Sequence, residues 1–249
     1  MAKPAFRPHF PVMASLLIKL LPLLFVAFLI WRALTATQRT TNALLRNSKP
    51  LHDWQILEAV QRFAKRLEVH EFQVRILDMD QVNGVALPGG EIFISRGLYE
   101  KYLSNEVSRD EIAAVIAHEI GHIALGHHGR RIAAWRRETA ALMVLGALVS
   151  RVLFSWVGLL ALLGLNIYRN RLTQRDEFEA DAFSAQLMMH SGIDPNAIVT
   201  LLSKLDKWIG GTPGRDNPLS WLISHPPITE RVARVRAVIA AGLPQSEPA

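Results

Sequence analysis

Two histidines four residues apart, His118 and His122, constrain this chain more than any other feature of its sequence. The stretch around them predicts a helix, because Ser108 and Glu111 are spaced as a capping box and apolar residues then recur at helical intervals. Residues four apart on a helix lie on one face, so the two imidazoles can converge on one metal ion. Glu119, beside the first histidine, is placed to activate a metal-bound water. The pattern therefore predicts a metal-dependent hydrolytic site on a helix.

A third protein ligand must come from elsewhere in the chain, because zinc in hydrolytic sites usually takes three protein ligands and one water. The chain has no cysteine, which leaves histidine, aspartate or glutamate. The best candidate is the acidic run at residues 175–182, Arg-Asp-Glu-Phe-Glu-Ala-Asp-Ala. Acidic residues also complement the dipole in the first turn of a helix, so the run alone identifies no ligand. Gly121, between the histidines, leaves room for another backbone to approach.

The histidine motif and the acidic run together resemble the membrane-associated zinc metallopeptidases of the HtpX, CAAX prenyl protease and mitochondrial OMA type, peptidase family M forty-eight. The resemblance implies that Glu177 is the third zinc ligand and that Glu179 is a neighbour and not a ligand. It also implies a role for Asp181, one helical turn later, where a carboxylate can orient a ligating histidine. Assistance in proton transfer is a second possible role for Asp181.

Two further segments resemble elements of the same family, so that the resemblance covers about residues 50–240. Residues 83–98 are similar to a hairpin ahead of the zinc helix, with Gly84 at a position where alanine is common and where we expect the difference to cost little. Residues 224–231 are similar to a His-Pro-x-x-x-x-Arg element near the end of the domain. This similarity makes His225 and Arg231 candidate donors to an oxyanion. His225 could equally be a turn residue near a helix start.

The predicted fold is α+β and mainly helical, a zincin-like domain with a small antiparallel β-hairpin or sheet. Strand-like runs at Gln73–Leu77 and Glu91–Ser95 lie around a Pro-Gly-Gly turn. A strand beside a metal site can bind an extended peptide as an added strand, although a plain hairpin explains the pattern as well. Apolar spacing and capping residues predict further helices over residues 54–67, 195–208 and 229–241.

Two more histidines, His127 and His128, follow the motif on what we expect to be the same helix. His127 is five residues from His122, off the spacing that puts two side chains on one face. We therefore expect surface or packing roles for both histidines.

The N-terminal part of the chain predicts a membrane helix. Residues 12–34 are almost all apolar and long enough to span a bilayer, which needs about 20 residues. We predict a membrane anchor at residues 1–36 and a catalytic domain at residues 37–249; a cleavable signal peptide is the alternative.

A second apolar stretch, at residues 139–168, lies between His122 and Glu177. Because both flanks must reach one zinc ion, the stretch cannot cross a membrane once, and two crossings need about 40 residues. A re-entrant hairpin, an interfacial helix or a flap over the cleft fits better, and a buried core hairpin remains an alternative. Arginines that suit anionic headgroups flank the stretch: Arg130, Arg131, Arg136, Arg137, Arg169, Arg171 and Arg175.

Charge and composition agree with a protein at a membrane surface. The net charge is +6, half of the residues are hydrophobic, and the isoelectric point is about 10.0. No nucleic-acid-binding motif is present, so we expect the basic residues to meet lipid headgroups. The arginines on the catalytic side favour a domain on the cytoplasmic face of the inner membrane, with the periplasmic face as the alternative.

The sequence predicts a zinc-dependent endopeptidase with one zinc ion per chain, acting on membrane-associated or misfolded proteins with Glu119 as general base. A membrane-tethered chaperone or scaffold with an idle zinc site is one alternative. A zinc-dependent hydrolase of a non-peptide bond is another.

Overall fold

The computed structural model describes residues 38–87, 89–127, 129–130, 156–210 and 226–242, with the backbone alone at 156–172 and 209–210. The chain divides into two compact units, Met1–Asn47 and Ser48–Ala249. Residues 38–46 of the first unit are helical. The predicted anchor at residues 1–36 lies outside the described part of the chain. Among the residues that are described, no helix is both long enough and apolar enough to cross a membrane.

The second unit contains a small sheet and the helices that surround the histidine motif. Its strands are β1 (Ser48–Pro50), β2 (Gln73–Leu77), β3 (Gly84–Ala86) and β4 (Glu91–Ser95). Its helices are α1 (Trp54–Arg66), α2 (Arg96–Leu103), α3 (Arg109–Ala124), α4 (Trp156–His190), α5 (Asn196–Gly210) and α6 (Ile228–Gly242). This mainly helical α+β architecture is the predicted one.

The sheet is mixed, and the prediction of an antiparallel sheet is wrong in part. Its strand order is β1-β2-β4-β3, with antiparallel pairing at both ends and parallel pairing between β2 and β4. The tight turn with Gly90 at φ 94° joins β3 to β4 as a hairpin. In the sheet β4 lies between β2 and β3. It runs antiparallel to β3, its partner in the hairpin, and parallel to β2. β3 is therefore an edge strand of the sheet.

The helix bearing the histidine motif begins as the sequence predicts. The Ser108 hydroxyl accepts the backbone N–H of Glu111 at 3.2 Å, and the Glu111 carboxylate accepts the backbone N–H of Ser108 at 2.7 Å. These reciprocal bonds satisfy two donors that a helix start leaves without partners. The predicted helices at α1, α5 and α6 are also confirmed, whereas α2 is not predicted by the sequence pattern.

The acidic run lies well inside α4, not in a first helical turn. This helix starts at Trp156, so residues 156–168 of the predicted 139–168 insertion are continuous with the helix that carries Glu177. The rest of the insertion lies outside the described residues. Because these acidic side chains are far from the N-terminal turn of α4, interaction with the helix dipole does not explain them.

Helix α3 crosses α4 closely at Gly121. A Cβ atom at Gly121 would lie 3.2 Å from both Cα and the carbonyl oxygen of Ala180. The predicted approach of another backbone at this glycine is thus confirmed, and it brings the α3 histidines against the acidic run of α4. The core around α3 is apolar and includes Ile56, Phe63, Ile92, Ile94, Leu98, Ile112, Ile116, Ile120 and Met188.

Candidate active site

The three predicted metal ligands converge. His118 Nε2 and His122 Nε2 lie 3.1 Å apart, and each lies 3.5 Å from a carboxylate oxygen of Glu177. A tetrahedral zinc ion with bonds of about 2.0–2.1 Å requires ligand atoms about 3.3–3.4 Å apart. Two imidazole nitrogens and one carboxylate are also a donor set that zinc uses in hydrolytic sites. These residues therefore fit a zinc ion with one position open to water.

The charge around this point also favours a dication. Three carboxylates, those of Glu119, Glu177 and Asp181, are buried beside one guanidinium, that of Arg231. Burial opposes ionisation of Glu177, but its contacts with His118 and Arg231 outweigh burial and lower the pKa of its carboxyl group well below the usual range. With all carboxylates ionised and both histidines neutral, the cluster has two negative charges in excess.

Asp181 lies on the far side of the His118 ring. Its Oδ1 is 3.0 Å from His118 Nδ1, the nitrogen that does not face Glu177. Burial lowers the pKa of His118, but the neighbouring Asp181 and Glu177 carboxylates outweigh burial and raise it to about 10. The surroundings thus stabilise positive charge on or beside this ring. Asp181 stands where a carboxylate that orients a metal-binding histidine is expected.

Arg231, on α6, clamps Asp181 with two parallel hydrogen bonds. Its Nε and Nη2 each donate to one oxygen of Asp181 at 2.7 Å, and its Nη1 lies 3.8 Å from Glu177 Oε2. Such bidentate pairs fix the orientation of a carboxylate. The described contacts of Arg231 are therefore with two acidic residues of α4, and its role as an oxyanion donor stays a prediction. His225 lies outside the described residues.

Glu119 is buried beside the three predicted metal ligands. Burial, aided by the charge of Glu177, raises the pKa of its carboxyl group to about 7. The backbone N–H of Ala86, in the edge strand β3, donates a hydrogen bond to the same carboxylate. A carboxyl group with a pKa near neutrality can both accept and return a proton at physiological pH.

The edge strand approaches α3 more closely than the sequence suggests. A Cβ atom at Gly84 would lie 2.7 Å from Val115 Cγ1 and 3.0 Å from Glu119 Oε1. The glycine is therefore well suited to this position, whereas an alanine would require Val115 or Glu119 to move, and a β-branched side chain on a helix has few alternative rotamers. Gly84 lets β3 lie directly against the face of α3 that carries Val115 and Glu119.

His127 does not continue helix α3 as expected, and of the two predicted roles, surface or packing, its burial fits packing. Helix α3 ends at Ala124, and Gly126 then adopts a left-handed conformation with φ 65°. The chain turns back, so that the His127 ring is completely buried with its Nδ1 2.7 Å from Nδ1 of His122. The glycine soon after the last helical residue is the sequence signal that could have predicted this turn.

A second cluster of possible metal ligands, His127, Asp176 and Glu179, lies on the outer side of the first. Arg130 Nη2 is 2.7 Å from Glu179 Oε2 and 3.3 Å from Asp176 Oδ1. Its guanidinium therefore stands where a cation would bind to these carboxylates. Arg130 was also predicted to meet lipid headgroups, but its charge is already paired with two acidic side chains.

Comparison with known proteins places this geometry in context. The chain is 29% identical over 205 residues to the beta-barrel assembly-enhancing protease of Escherichia coli K12, covering 77% of this chain and 41% of that protein. It is 33% identical over 163 residues to the metalloprotease LoiP of the same strain, covering 64% and 60%. It is 27% identical over 165 residues to the mitochondrial metalloendopeptidase OMA1 of Schizosaccharomyces pombe, covering 66% and 46%. The chain thus spans about half the length of these relatives.

A solved structure and a family description agree with these relatives. The crystal structure of Ste24p from S. mikatae is similar in fold, with a TM-score of 0.54 and 20% identity over 85% of this chain and 57% of the other. The description of peptidase family M48 matches residues 50–239, which include every described member of the site. The chain therefore belongs to peptidase family M48.

Proposed function

We propose that this protein is a zinc-dependent endopeptidase. The observation that carries the proposal is the convergence of His118, His122 and Glu177 at tetrahedral ligand spacing beside the buried carboxylate of Glu119. Membership of a metallopeptidase family and the protease relatives support the same chemistry.

The reaction follows from what each side chain contacts. His118, His122 and Glu177 would hold the metal, and zinc, when bound, would polarise a water molecule and the scissile carbonyl. Glu119 takes the proton of the attacking water and returns it to the leaving amine. Asp181 keeps the His118 ring in place, and Arg231 keeps Asp181 in place.

The proposed substrate runs along the outer edge of β3, where the N–H of Gly84 donates to Asn83 Oδ1 at 3.0 Å. Asn83 and Leu87 form backbone hydrogen bonds with β4, so the residues between them alternate between facing β4 and facing the edge. Gly84 and Ala86 face the edge, and Ala86 N–H reaches Glu119. An extended peptide added here lies beside the catalytic carboxylate and is held through its main chain.

The oxyanion of the tetrahedral intermediate needs a hydrogen-bond donor in addition to the metal. We propose His225 for this role on the strength of the His-Pro-x-x-x-x-Arg element. We propose Arg231 as a positioning residue for Asp181, because its described donors hold that carboxylate. His225→Ala should lower kcat with little change in KM. Unchanged kcat would exclude His225.

We also propose that residues 1–36 anchor the enzyme to the inner membrane, with the catalytic domain on the cytoplasmic side and membrane-associated or misfolded proteins as substrates. The apolar segment at residues 12–34 and the surrounding arginines support this location. Membrane fractions washed with alkaline carbonate should retain the protein. Its release in the wash would contradict an anchor.

An assay of three activities separates the proposed function from its alternatives. The full-length chain is tested for cleavage of unfolded casein, for turnover of small amides and esters, and for suppression of aggregation without cleavage. An endopeptidase cleaves casein in a chelator-sensitive manner. Turnover of small substrates alone would indicate a non-peptide hydrolase, and suppression of aggregation with bound zinc but no cleavage would indicate a scaffold.

A further inference from the structure

His127 is a fully enclosed polar ring with a partner at each nitrogen. Its exposed fraction is 0%, its Nδ1 lies 2.7 Å from His122 Nδ1, and its Nε2 lies 3.4 Å from Glu179 Oε2. A buried imidazole is stable only when its hydrogen-bonding atoms are satisfied. The ring therefore links a predicted metal ligand of α3 to a carboxylate of α4.

The direction of the hydrogen bonds follows from the position of the metal site. His122 Nε2 is the nitrogen that faces His118 and Glu177, so a metal at Nε2 leaves the proton on Nδ1. His122 Nδ1–H then donates to His127 Nδ1. The proton of neutral His127 is consequently on Nε2, from which it donates to Glu179. This single arrangement satisfies both rings.

Glu179 is held in place from its other side. Arg130 Nη2 donates to Glu179 Oε2 at 2.7 Å, and Arg175 Nε donates to Oε1 at 2.8 Å. A carboxylate held at both oxygens is a fixed acceptor for His127.

We propose that His127 and Glu179 are positioning residues that hold the His122 ring in its metal-binding orientation and tautomer. The proposal rests on the zinc site of the proposed function and adds residues outside its ligand set. It assigns His122 a hydrogen-bonded neighbour at Nδ1, on the side of the ring where Asp181 lies 3.0 Å from Nδ1 of His118. Groups at this distance from a metal commonly change its affinity by about 10- to 100-fold.

The test compares three variants of the full-length protein. His127→Phe keeps an aromatic ring but removes the acceptor, whereas His127→Asn places an amide oxygen near the position of Nδ1. We expect the zinc dissociation constant, measured by chelator competition, to rise about 10- to 100-fold in His127→Phe. It should stay within about threefold of wild type in His127→Asn, and in His70→Phe, an exposed control.

A second readout reports geometry and not activity. With cobalt in place of zinc, His127→Phe should shift the visible absorption bands, because a released His122 changes the ligand field, and His127→Asn should restore them. Glu179→Ala, at a partly exposed position, should also weaken zinc binding and provides the test if His127→Phe does not fold. Unchanged affinity in both His127→Phe and Glu179→Ala would overturn the positioning role and leave the proposed function intact.

Two other outcomes are equally decisive. Binding of two zinc ions by wild type, with one lost in His127→Phe, would overturn the positioning role in favour of a second metal site. Failure of wild type to bind zinc, or binding that survives His118→Ala, would overturn the proposed function together with the inference.

Discussion

Glu119, the proposed general base, has a buried carboxyl group, and its burial has a consequence for stability. Burial raises its pKa in the folded protein to about 7 from an ordinary value of 4.5. The folded state therefore binds this proton more tightly than the unfolded state, and its stability decreases as the pH rises from about 4.5 through 7. Ionised Glu119 is thus a destabilising group at pH 8 in the metal-free protein.

Glu119→Gln should stabilise the zinc-free protein at pH 8 but not at pH 4.5, because an uncharged amide avoids the cost of burying the charge. The gain in the free energy of unfolding should be about 3 kcal/mol at pH 8, at about 1.4 kcal/mol per pKa unit. Denaturant unfolding after chelator treatment measures it at both pH values. An equal change in the free energy of unfolding at the two pH values would contradict a pKa of about 7 for Glu119.

Arg231→Met should be strongly destabilising, because it leaves Asp181 as a buried charge without its bidentate partner. Breaking one side of a buried pair costs about 3–5 kcal/mol. The double variant with Asp181→Asn should lose less than the sum of the single variants. Additive losses in denaturant unfolding would show that the two residues act independently.

Local spacing explains which site residues the sequence could identify. His118, Glu119 and His122 lie within one and a half turns of a single helix, so their relation needs no knowledge of the fold. Glu177 could be assigned only through the family resemblance, because its distance from the histidines depends on how α4 crosses α3. The sequence left surface and packing roles open for His127, because its burial depends on the turn at Gly126.

At the scale of elements, the crossing of α3 and α4 sets the distance from the histidines to Glu177. Gly121→Val should separate the two helices, since even a Cβ atom would lie 3.2 Å from the backbone of Ala180. We expect a loss of about 1–3 kcal/mol of stability and weaker zinc binding. Gly129→Val is the control, because a Cβ atom there has no neighbour within 4 Å among the described residues. Equal losses of stability and of zinc affinity in the two variants would contradict the close crossing of α3 and α4 as the cause of those losses.

The edge strand β3 provides the second element-scale prediction. A peptide bound as an added strand donates alternate N–H groups to the protein, so N-methylation should weaken inhibition by a substrate-derived peptide at every second residue. Inhibition constants for a series of singly methylated peptides measure this period. A uniform effect along the peptide would contradict binding as a β-strand.

Strand length explains why the sheet was only partly predictable. β2 and β4 have five residues each and were found from their composition, but β1 and β3 have three. Three residues are too few to show alternating hydrophobicity. If β3 is overlooked, β2 and β4 look like the two strands of an antiparallel hairpin. In the structure β4 forms its hairpin with β3 and pairs with β2 in parallel.

At the scale of the whole molecule, the proposed metal site connects segments that are far apart in the sequence. Ligands from α3 and α4, Arg231 from α6 and the edge strand β3 all contribute to one buried cluster of charge. Both α3 and α4 must remain on the same side of any membrane for this cluster to form. The composition supported a membrane location, but it could not show how residues 139–155 connect the two helices.

The central claim is that Glu119 activates water at a zinc ion held by His118, His122 and Glu177. The most direct measurement is kcat/KM for peptide cleavage by wild type and Glu119→Gln, each with its zinc content determined on the same preparation. We expect one zinc ion per chain in both proteins and a loss of about 10²–10⁴-fold in kcat/KM for the variant. Equal kcat/KM at equal zinc content would contradict the claim.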